Sequence, residues 1–173
     1  MRSKLFAVAA CISLVLATVL VGASPPGILA ASTWYVDAIR GTDAPTQGTN
    51  AEYGAFRTIQ YAVNDGRVAS GDTIMVAAGT YTESVRTSKS LTFRGAQFGV
   101  DAQNREGAES IWAVPSTYYP TALYSSAQAV TVDGIAFDAS LAPGGPGMVL
   151  TAQGARPVNG LAVTVRRSGG ALA

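Results

Sequence analysis

Short stretches of alternating apolar and polar residues, separated by turn residues, run along most of this chain. Between positions 71 and 96, three β-prone pieces at 73–77, 80–85 and 90–94 are divided by small or turn-forming residues. None of them is long enough for a sandwich strand that continues into a hairpin turn. The pattern favours a chain that winds as a coil, makes one short strand on each side, and turns a corner after every strand.

Apolar residues occupy one side of these strands. In the piece 73–77, Ile74 and Val76 point one way and Thr73 and Met75 the other, because successive side chains of a strand alternate. We therefore expect an all-β fold in which every strand turns one face into a narrow core, shared with the coils above and below. The other predicted strands span residues 33–38, 109–114, 121–126, 129–139, 147–152 and 161–166.

A weak internal repeat supports this interpretation. The segments SLTFRG at 90–95 and AVTVDG at 129–134 both carry apolar residues at their second and fourth positions and glycine at the sixth. If the two segments are neighbouring strands, Arg94 and Asp133 occupy equivalent places and form an outward ion pair worth about 0–1 kcal/mol. We expect this structural role for the pair and not a catalytic one.

Residues 56–64 follow a helical period instead. Gly66 is a natural stop just beyond them, so we predict one short amphipathic helix with a single face to bury. Because the first coil of a stack needs a cover, we expect this helix to cap it. Its apolar positions are Phe56, Ile59, Ala62 and Val63.

The first 31 residues have the layout of a secretory signal peptide. A short positive start, MRSK, precedes an apolar run at 5–23 and then small residues, and cleavage is favoured after Ala30 or Ala31. The alternative is a membrane anchor that is never cut, since the run is near the lower length for spanning a bilayer. We expect residues 32–70 to hold the first strand, a polar loop and the capping helix, and residues 71–173 to hold the first coils.

Composition removes several classes of function. Twelve Lys and Arg against eleven Asp and Glu give no electrostatic argument for nucleic acid or for an anionic membrane as partner. The chain has no His, which excludes imidazole mechanisms and His-bound zinc. Its single cysteine, Cys11, lies in the leader, so the rest of the chain has no disulfide and no thiol nucleophile.

Four motifs in residues 33–96 resemble a known family. The order YVDAIRGTDAPTQGT, AFRTIQYAV, GDTIMVAAGTYTESV and SLTFRGA is similar to the N-terminal region of right-handed parallel β-helix proteins of the pectin-lyase-like superfamily. The resemblance implies a right-handed parallel β-helix (solenoid) with a short N-terminal capping helix. It names no reaction, because lyases, methylesterases, glycoside hydrolases, epimerases and non-catalytic surface proteins share such openings.

No position of the chain matches a catalytic motif of one branch of that superfamily, so the catalytic residues are unknown. If the protein is an enzyme, the resemblance implies a polysaccharide lyase, glycoside hydrolase or carbohydrate esterase, and it leaves Ca²⁺ open as a cofactor. Five carboxylates could in principle act as an acid/base pair or bind Ca²⁺, but their spacings in the sequence fit no known ligand loop. They are Asp101, Glu106, Glu109, Asp133 and Asp138.

Aromatic residues supply the predicted binding site. Trp112, Tyr118 and Tyr119, with Tyr124 nearby, form a cluster, and amphipathic rings with a polar tip are good surfaces for stacking sugars. The alternative is that these rings cover the coil or fill the gap left by a long corner. The predicted substrate-binding residues are Trp112, Tyr118 and Tyr119.

The sequence therefore predicts a secreted or cell-surface β-helix that binds or processes an extracellular polysaccharide. The alternatives are a non-catalytic cell-surface or structural β-helix, or an inactive fragment of a longer protein. We expect no nucleic acid partner and no membrane after signal cleavage. Because residues after Asp138 are turn-rich and contain no second capping helix, we also expect a truncated coil stack that self-associates through its open end.

Overall fold

The structure, a computed structural model, describes residues 30–115, 121–127 and 129–138, together with the backbone of two later strands, Met148–Ala152 and Ala162–Arg166. The described residues from Ala31 onward belong to one compact unit, Ala31–Ala173. The predicted signal peptide lies almost wholly outside the described residues, so its cleavage stays a prediction. In the described part of the chain, no helix is both long enough and apolar enough to cross a membrane.

Short strands dominate the described residues, and helix is scarce. Among the described residues, one α-helix, α1, spans Ile59–Asn64, and one 3-10 turn spans Ala102–Asn104. The strands are β1 Thr33–Val36, β2 Thr73–Val76, β3 Gly79–Thr82, β4 Val85–Thr87, β5 Thr92–Arg94, β6 Ser110–Ala113, β7 Thr121–Ser125, β8 Thr131–Asp138, β9 Met148–Ala152 and β10 Ala162–Arg166. The predicted all-β class is confirmed.

Every pair of described strands is parallel. One sheet has the order β1-β2-β5-β8-β6-β3, with β10 also paired to β8, and a second sheet has the order β4-β7-β9. The long strand β8 pairs with β5 through residues 131–133 and with β6 through residues 135–138.

The paired strands form three ladders, and the chain contributes strands to the three ladders in turn. The first ladder joins β1, β2, β5 and residues 131–133 of β8. The second joins β3, β6 and residues 135–138 of β8, and the third joins β4, β7 and β9. From β2 to β9 the chain passes through the first, second and third ladders three times in the same order.

Buried residues of successive strands lie in register and form the core. In the first ladder the buried file is Trp34, Ile74, Phe93 and Val132. In the second ladder, Trp112 pairs with Phe137, and their ring centroids lie 5.6 Å apart. These buried files confirm the predicted alternation of apolar and polar residues along the strands. Each large apolar side chain removed from water contributes about 1.5–3 kcal/mol to stability.

The internal repeat correctly predicts the register. Phe93 pairs with Val132 and Arg94 with Asp133, so equivalent positions of the two segments are direct neighbours. Their sixth positions, Gly95 and Gly134, also lie together: a side chain on Gly95 would collide with the carbonyl of Gly134, whose own φ is +72°. Glycine is needed at both places because two backbones approach too closely for a Cβ atom.

Helix α1 starts three residues later than predicted. Thr58 is its N-cap, with the hydroxyl accepting the Tyr61 N–H at 3.2 Å. Phe56 is instead held in extended form beside β1, where its N–H donates to the Tyr35 carbonyl at 2.9 Å and its carbonyl accepts the Asp37 N–H at 2.8 Å. The apolar stripe itself is as predicted, because Phe56, Ile59, Ala62 and Val63 are all buried in the core cluster.

Candidate functional site

The outward side chains of the first ladder form two straight files. The first file is Thr33, Thr73, Thr92 and Thr131, which are register partners on four successive strands. Neighbouring strands lie about 4.8 Å apart, so this file presents a hydroxyl at each such step. The second file, two residues further along each strand, is Tyr35, Met75, Arg94 and Asp133.

A groove of about 200 Å³ lies on this outer face. The strands contribute Tyr35 and Met75 to its lining, and the loops that follow β1 and β5 contribute Ala51 and Phe98. Phe98 is 44% exposed, so part of its ring is open to solvent. The groove therefore offers the aromatic surface of Tyr35 and Phe98, while the threonine file lies two residues earlier on the strands and outside the lining of the groove.

Arg94 and Asp133 lie side by side, yet no ion pair joins them, so the predicted outward pair is wrong. The Arg94 Cζ atom lies 5.5 Å from the centroid of the Phe98 ring, an arrangement typical of a cation–π contact. The Asp133 carboxylate accepts the Gly99 N–H at 3.1 and 3.2 Å instead. The two charged residues thus hold the loop after β5, which carries Phe98, against the ladder.

The structure buries Trp112 instead of placing it on the surface. Its indole is fully buried, with the ring 5.6 Å from both Phe93 and Phe137, and its Nε1 donates to the Glu83 carbonyl at 3.0 Å. A ring enclosed in this way has no open side for a sugar, so Trp112 belongs to the core. Tyr118 and Tyr119 lie outside the described residues, and their predicted role in binding stays a prediction.

Two buried carboxylates, Asp37 and Asp72, and the half-buried Glu83 bind backbone N–H groups. Asp72 accepts the N–H groups of Ser32 and Ala69 and the Trp34 Nε1–H, each at 2.8 Å. Burial raises the pKa of Asp72, but these hydrogen bonds together hold it below its ordinary value of 3.8. This carboxylate is therefore ionised at neutral pH and fastens β1 to the turn before β2.

Glu83 fastens the start of α1. Its two carboxylate oxygens accept the N–H groups of Ile59 at 2.9 Å and Gln60 at 2.8 Å. Burial raises the pKa of Glu83, although these two hydrogen bonds favour the charged form. Asp37 is a turn residue that accepts the N–H groups of Ile39 and Arg40.

The described residues do not supply a set of ligands for the Ca²⁺ that the resemblance leaves open. In the ranges that the structure describes, no three acidic side chains come close enough together to hold a metal ion. Asp37, Asp72 and Glu83 are already bound to backbone N–H groups, as shown above. The five carboxylates singled out in the sequence are likewise not gathered into one site.

Comparison with known proteins adds no family. The chain matched no protein-family model, no curated protein and no solved structure. Its function therefore has to be argued from the geometry of its own residues.

Proposed function

We propose that this chain is a right-handed parallel β-helix that binds an extracellular polysaccharide on the outer face of its first ladder. The order of strand pairing supports this fold, because a chain that enters three parallel ladders repeatedly in one order is winding as a coil. The resemblance of residues 33–96 to pectin-lyase-like proteins supplies the right hand of the coil and the capping role of α1.

The groove beside the threonine file carries the functional proposal. A sugar ring has apolar C–H faces and hydroxyls at its rim, and it needs an aromatic surface with polar groups at the edge. Tyr35 and Phe98 supply the aromatic surface in the groove, and Thr73 and Thr92, which do not line it, supply hydroxyls at the register position two residues before Met75 and Arg94. A repeating ligand suits a surface whose groups repeat from strand to strand.

Binding fits the described residues better than catalysis does. Hydrolysis or β-elimination of a glycosidic bond needs a carboxylate or a base whose reactive atoms can reach the substrate. The carboxylates of Asp37, Asp72 and Glu83 accept hydrogen bonds from backbone N–H groups instead. The second candidate is a structural or cell-surface β-helix with no sugar ligand, which those same satisfied carboxylates also favour.

The proposed compartment is the cell surface or the extracellular medium, which is where such a polysaccharide is found. It depends on the signal peptide predicted for residues 1–31. Cleavage after Ala30 or Ala31, and self-association through the open end of the coil stack, remain predictions. N-terminal sequencing of the exported protein and sedimentation analysis would test them.

Affinity electrophoresis on a panel of polysaccharides would test the binding proposal. The gels would contain pectate, alginate, xylan, mannan or dextran, and insoluble cellulose and chitin would be used in pull-downs. We expect retardation by at least one polymer and about five- to tenfold weaker binding by Phe98→Ala, because a lost ring contact is worth about 1 kcal/mol or slightly more.

Tyr53→Ala is the matched control, since Tyr53 is 87% exposed and does not line the groove. It should be retarded as strongly as the wild type. Equal retardation of Phe98→Ala and wild type would refute the groove as the binding site. No binding to any polymer would refute the function and leave the structural candidate.

A further inference from the structure

A second concave site lies beside the end of α1. This cavity, of about 450 Å³, is lined by Pro45, Tyr61, Asn64, Asp65, Gly66 and Arg67. It shares no lining residue with the groove on the first ladder. Its volume falls within the range of about 300–1,000 Å³ that small-molecule sites occupy.

Arg67 is held rigidly at the rim of this cavity. Its Nε donates to Asp65 Oδ1 at 2.9 Å, and its Nη2 donates to Asp65 Oδ2 at 2.8 Å and to the Gln47 carbonyl at 2.7 Å. The guanidinium also lies over two rings, with Cζ 5.0 Å from the centroid of Trp34 and 5.7 Å from that of Phe56. Nη1 takes part in none of these bonds, so it is a preorganised donor.

Aromatic and amide groups complete the lining. The ring of Tyr61 is held 5.3 Å from that of Phe56, and Tyr61 itself is only half-buried. The Asn64 Oδ1 accepts a hydrogen bond from Gln60 Nε2 at 2.9 Å, which fixes the amide and leaves its Nδ2 to donate. One aromatic surface thus lies among several fixed polar atoms.

The charges of the two ionised lining residues, Asp65 and Arg67, cancel, and Lys89 adds one positive charge outside the lining. Asp65 and Arg67 form an ion pair at 2.8 Å, and the neighbouring Lys89 Nζ is bound to the carbonyls of Val63 and Asp65. An anion would meet the Asp65 carboxylate, and a cation would meet the Arg67 guanidinium. A purely apolar ligand would cover the polar atoms of Asn64 and Arg67 without pairing them.

We propose that this cavity is a second binding site, specific for one neutral sugar unit. The ring of the sugar packs on Tyr61, and its hydroxyls, which donate and accept, pair with Arg67 Nη1, Asn64 Nδ2 and the Asp65 carboxylate. This site stands independently of the groove, because different residues build it. It would hold a side group or a chain end rather than an extended polymer, since six residues at the end of α1 and in the loops around it build the whole of this open concavity.

Titration of the ¹⁵N-labelled protein with methyl glycosides, followed by NMR, tests the proposal. The probes are the methyl glycosides of glucose, galactose, mannose and N-acetylglucosamine, with glucuronate as the charged comparison. We expect saturable shifts at the amides of Gly66 and Arg67 and at the Arg67 Nε–H, with a dissociation constant on the order of 1 mM for the best probe. Glucuronate should bind more weakly, because Asp65 already occupies Nε and Nη2 of Arg67 and its carboxylate would lie beside that of the ligand.

Two variants and two matched controls complete the experiment. Asn64→Ala and Arg67→Lys each remove a placed donor and should weaken binding about three- to tenfold with an unchanged circular dichroism spectrum. Asn104→Ala and Arg57→Lys change exposed residues that do not line the cavity and should bind as the wild type does.

Each other outcome overturns the proposal. It fails if no glycoside gives saturable shifts at Gly66 and Arg67, or if glucuronate binds more tightly than every neutral probe. It also fails if the two variants bind as well as their controls. Shifts confined to the amides of Met75 and Phe98 would refute this site while supporting the groove, so the two proposals can be separated.

Discussion

The substitution Asp72→Asn tests how firmly the first strand is fastened to the rest of the molecule. The Asp72 carboxylate is 4% exposed and accepts three hydrogen bonds, from Ser32, Trp34 and Ala69. Asparagine keeps the size of the side chain but has only one oxygen to accept hydrogen bonds. Its NH₂ group would then lie against N–H groups that the carboxylate accepted. We expect the free energy of unfolding to fall by about 2–3 kcal/mol.

The magnitude follows from which bonds water can replace. Ser32 and Ala69 are exposed, so water can satisfy their N–H groups when the carboxylate is lost. The Trp34 Nε1–H is buried and has no such substitute. A hydrogen bond to a charged group contributes about 1.5–3 kcal/mol, and this single bond accounts for most of the expected loss.

Urea unfolding followed by tryptophan fluorescence measures the change, and hydrogen exchange of the Trp34 indole N–H reports the local opening. Asp101→Asn is the control, because Asp101 is exposed and makes no capping hydrogen bond, and it should change stability by less than about 0.5 kcal/mol. If Asp72→Asn were as stable as this control, the fastening role would be refuted.

Acid provides a second check on the same residue. The folded-state pKa of Asp72 is below 3.8, so its ionised form adds stability that is present above that pH and is lost as the pH falls through the folded pKa. The difference in stability between wild type and Asp72→Asn should therefore narrow below about pH 4. A difference that stays constant into strong acid would contradict the assigned ionisation.

Three further predictions concern the core, a turn and a buried phenol. Phe56→Ala should lower the urea-derived stability by about 3–5 kcal/mol, because the ring is fully buried; an unchanged midpoint would show that it packs on nothing. Gly134→Ala should lower the melting temperature, since φ there is +72° and a Cβ would strike the backbone of residues 97–98; melting like the wild type would contradict that. Burial raises the pKa of Tyr81 to about 12, so the stability that its protonated form provides should be lost as the pH rises above about 10. In an absorbance titration, Tyr81→Phe should remove one late-titrating phenol, and no late phenol in the wild type would refute this.

The strand positions and their register could be predicted because the sequence repeats them. In the segments 90–95 and 129–134, the apolar residues at the second and fourth positions face the core, and Phe93 lies directly beside Val132. Gly95 and Gly134 at the sixth positions then mark the same close approach of two backbones. Alternation within a strand and similarity between two short segments are both visible in the sequence itself, so both allow the strands and their register to be predicted.

The aromatic-rich segment around Trp112 suggests a binding surface, but the structure buries this ring in the core. Its strand gives the better signal, since Ser110 and Trp112 share one side of β6 and both are buried. The polar tip of the indole finds the Glu83 carbonyl, so the ring can be fully enclosed without losing a hydrogen bond. Helix α1 begins later than its apolar period because the backbone of Phe56 is hydrogen-bonded to Tyr35 and Asp37.

The carboxylates that fasten the fold could not be predicted. Asp72 binds residues 38 and 40 positions earlier in the chain, and Glu83 binds the start of α1 from 24 positions away. Nothing in the spacing of single carboxylates indicates such partners. The groove was missed for the same reason, because Ala51 and Phe98 come together only when their two loops lie over the ladder.

Hydrogen–deuterium exchange with bound polysaccharide would locate the binding face on the protein. The protein would be labelled alone and with a polymer that retards it in affinity electrophoresis, and exchange would be compared peptide by peptide. The account predicts protection confined to the first ladder and its groove, in peptides covering residues 33–36, 73–76 and 92–98. Protection elsewhere with none in these peptides would contradict binding on this face.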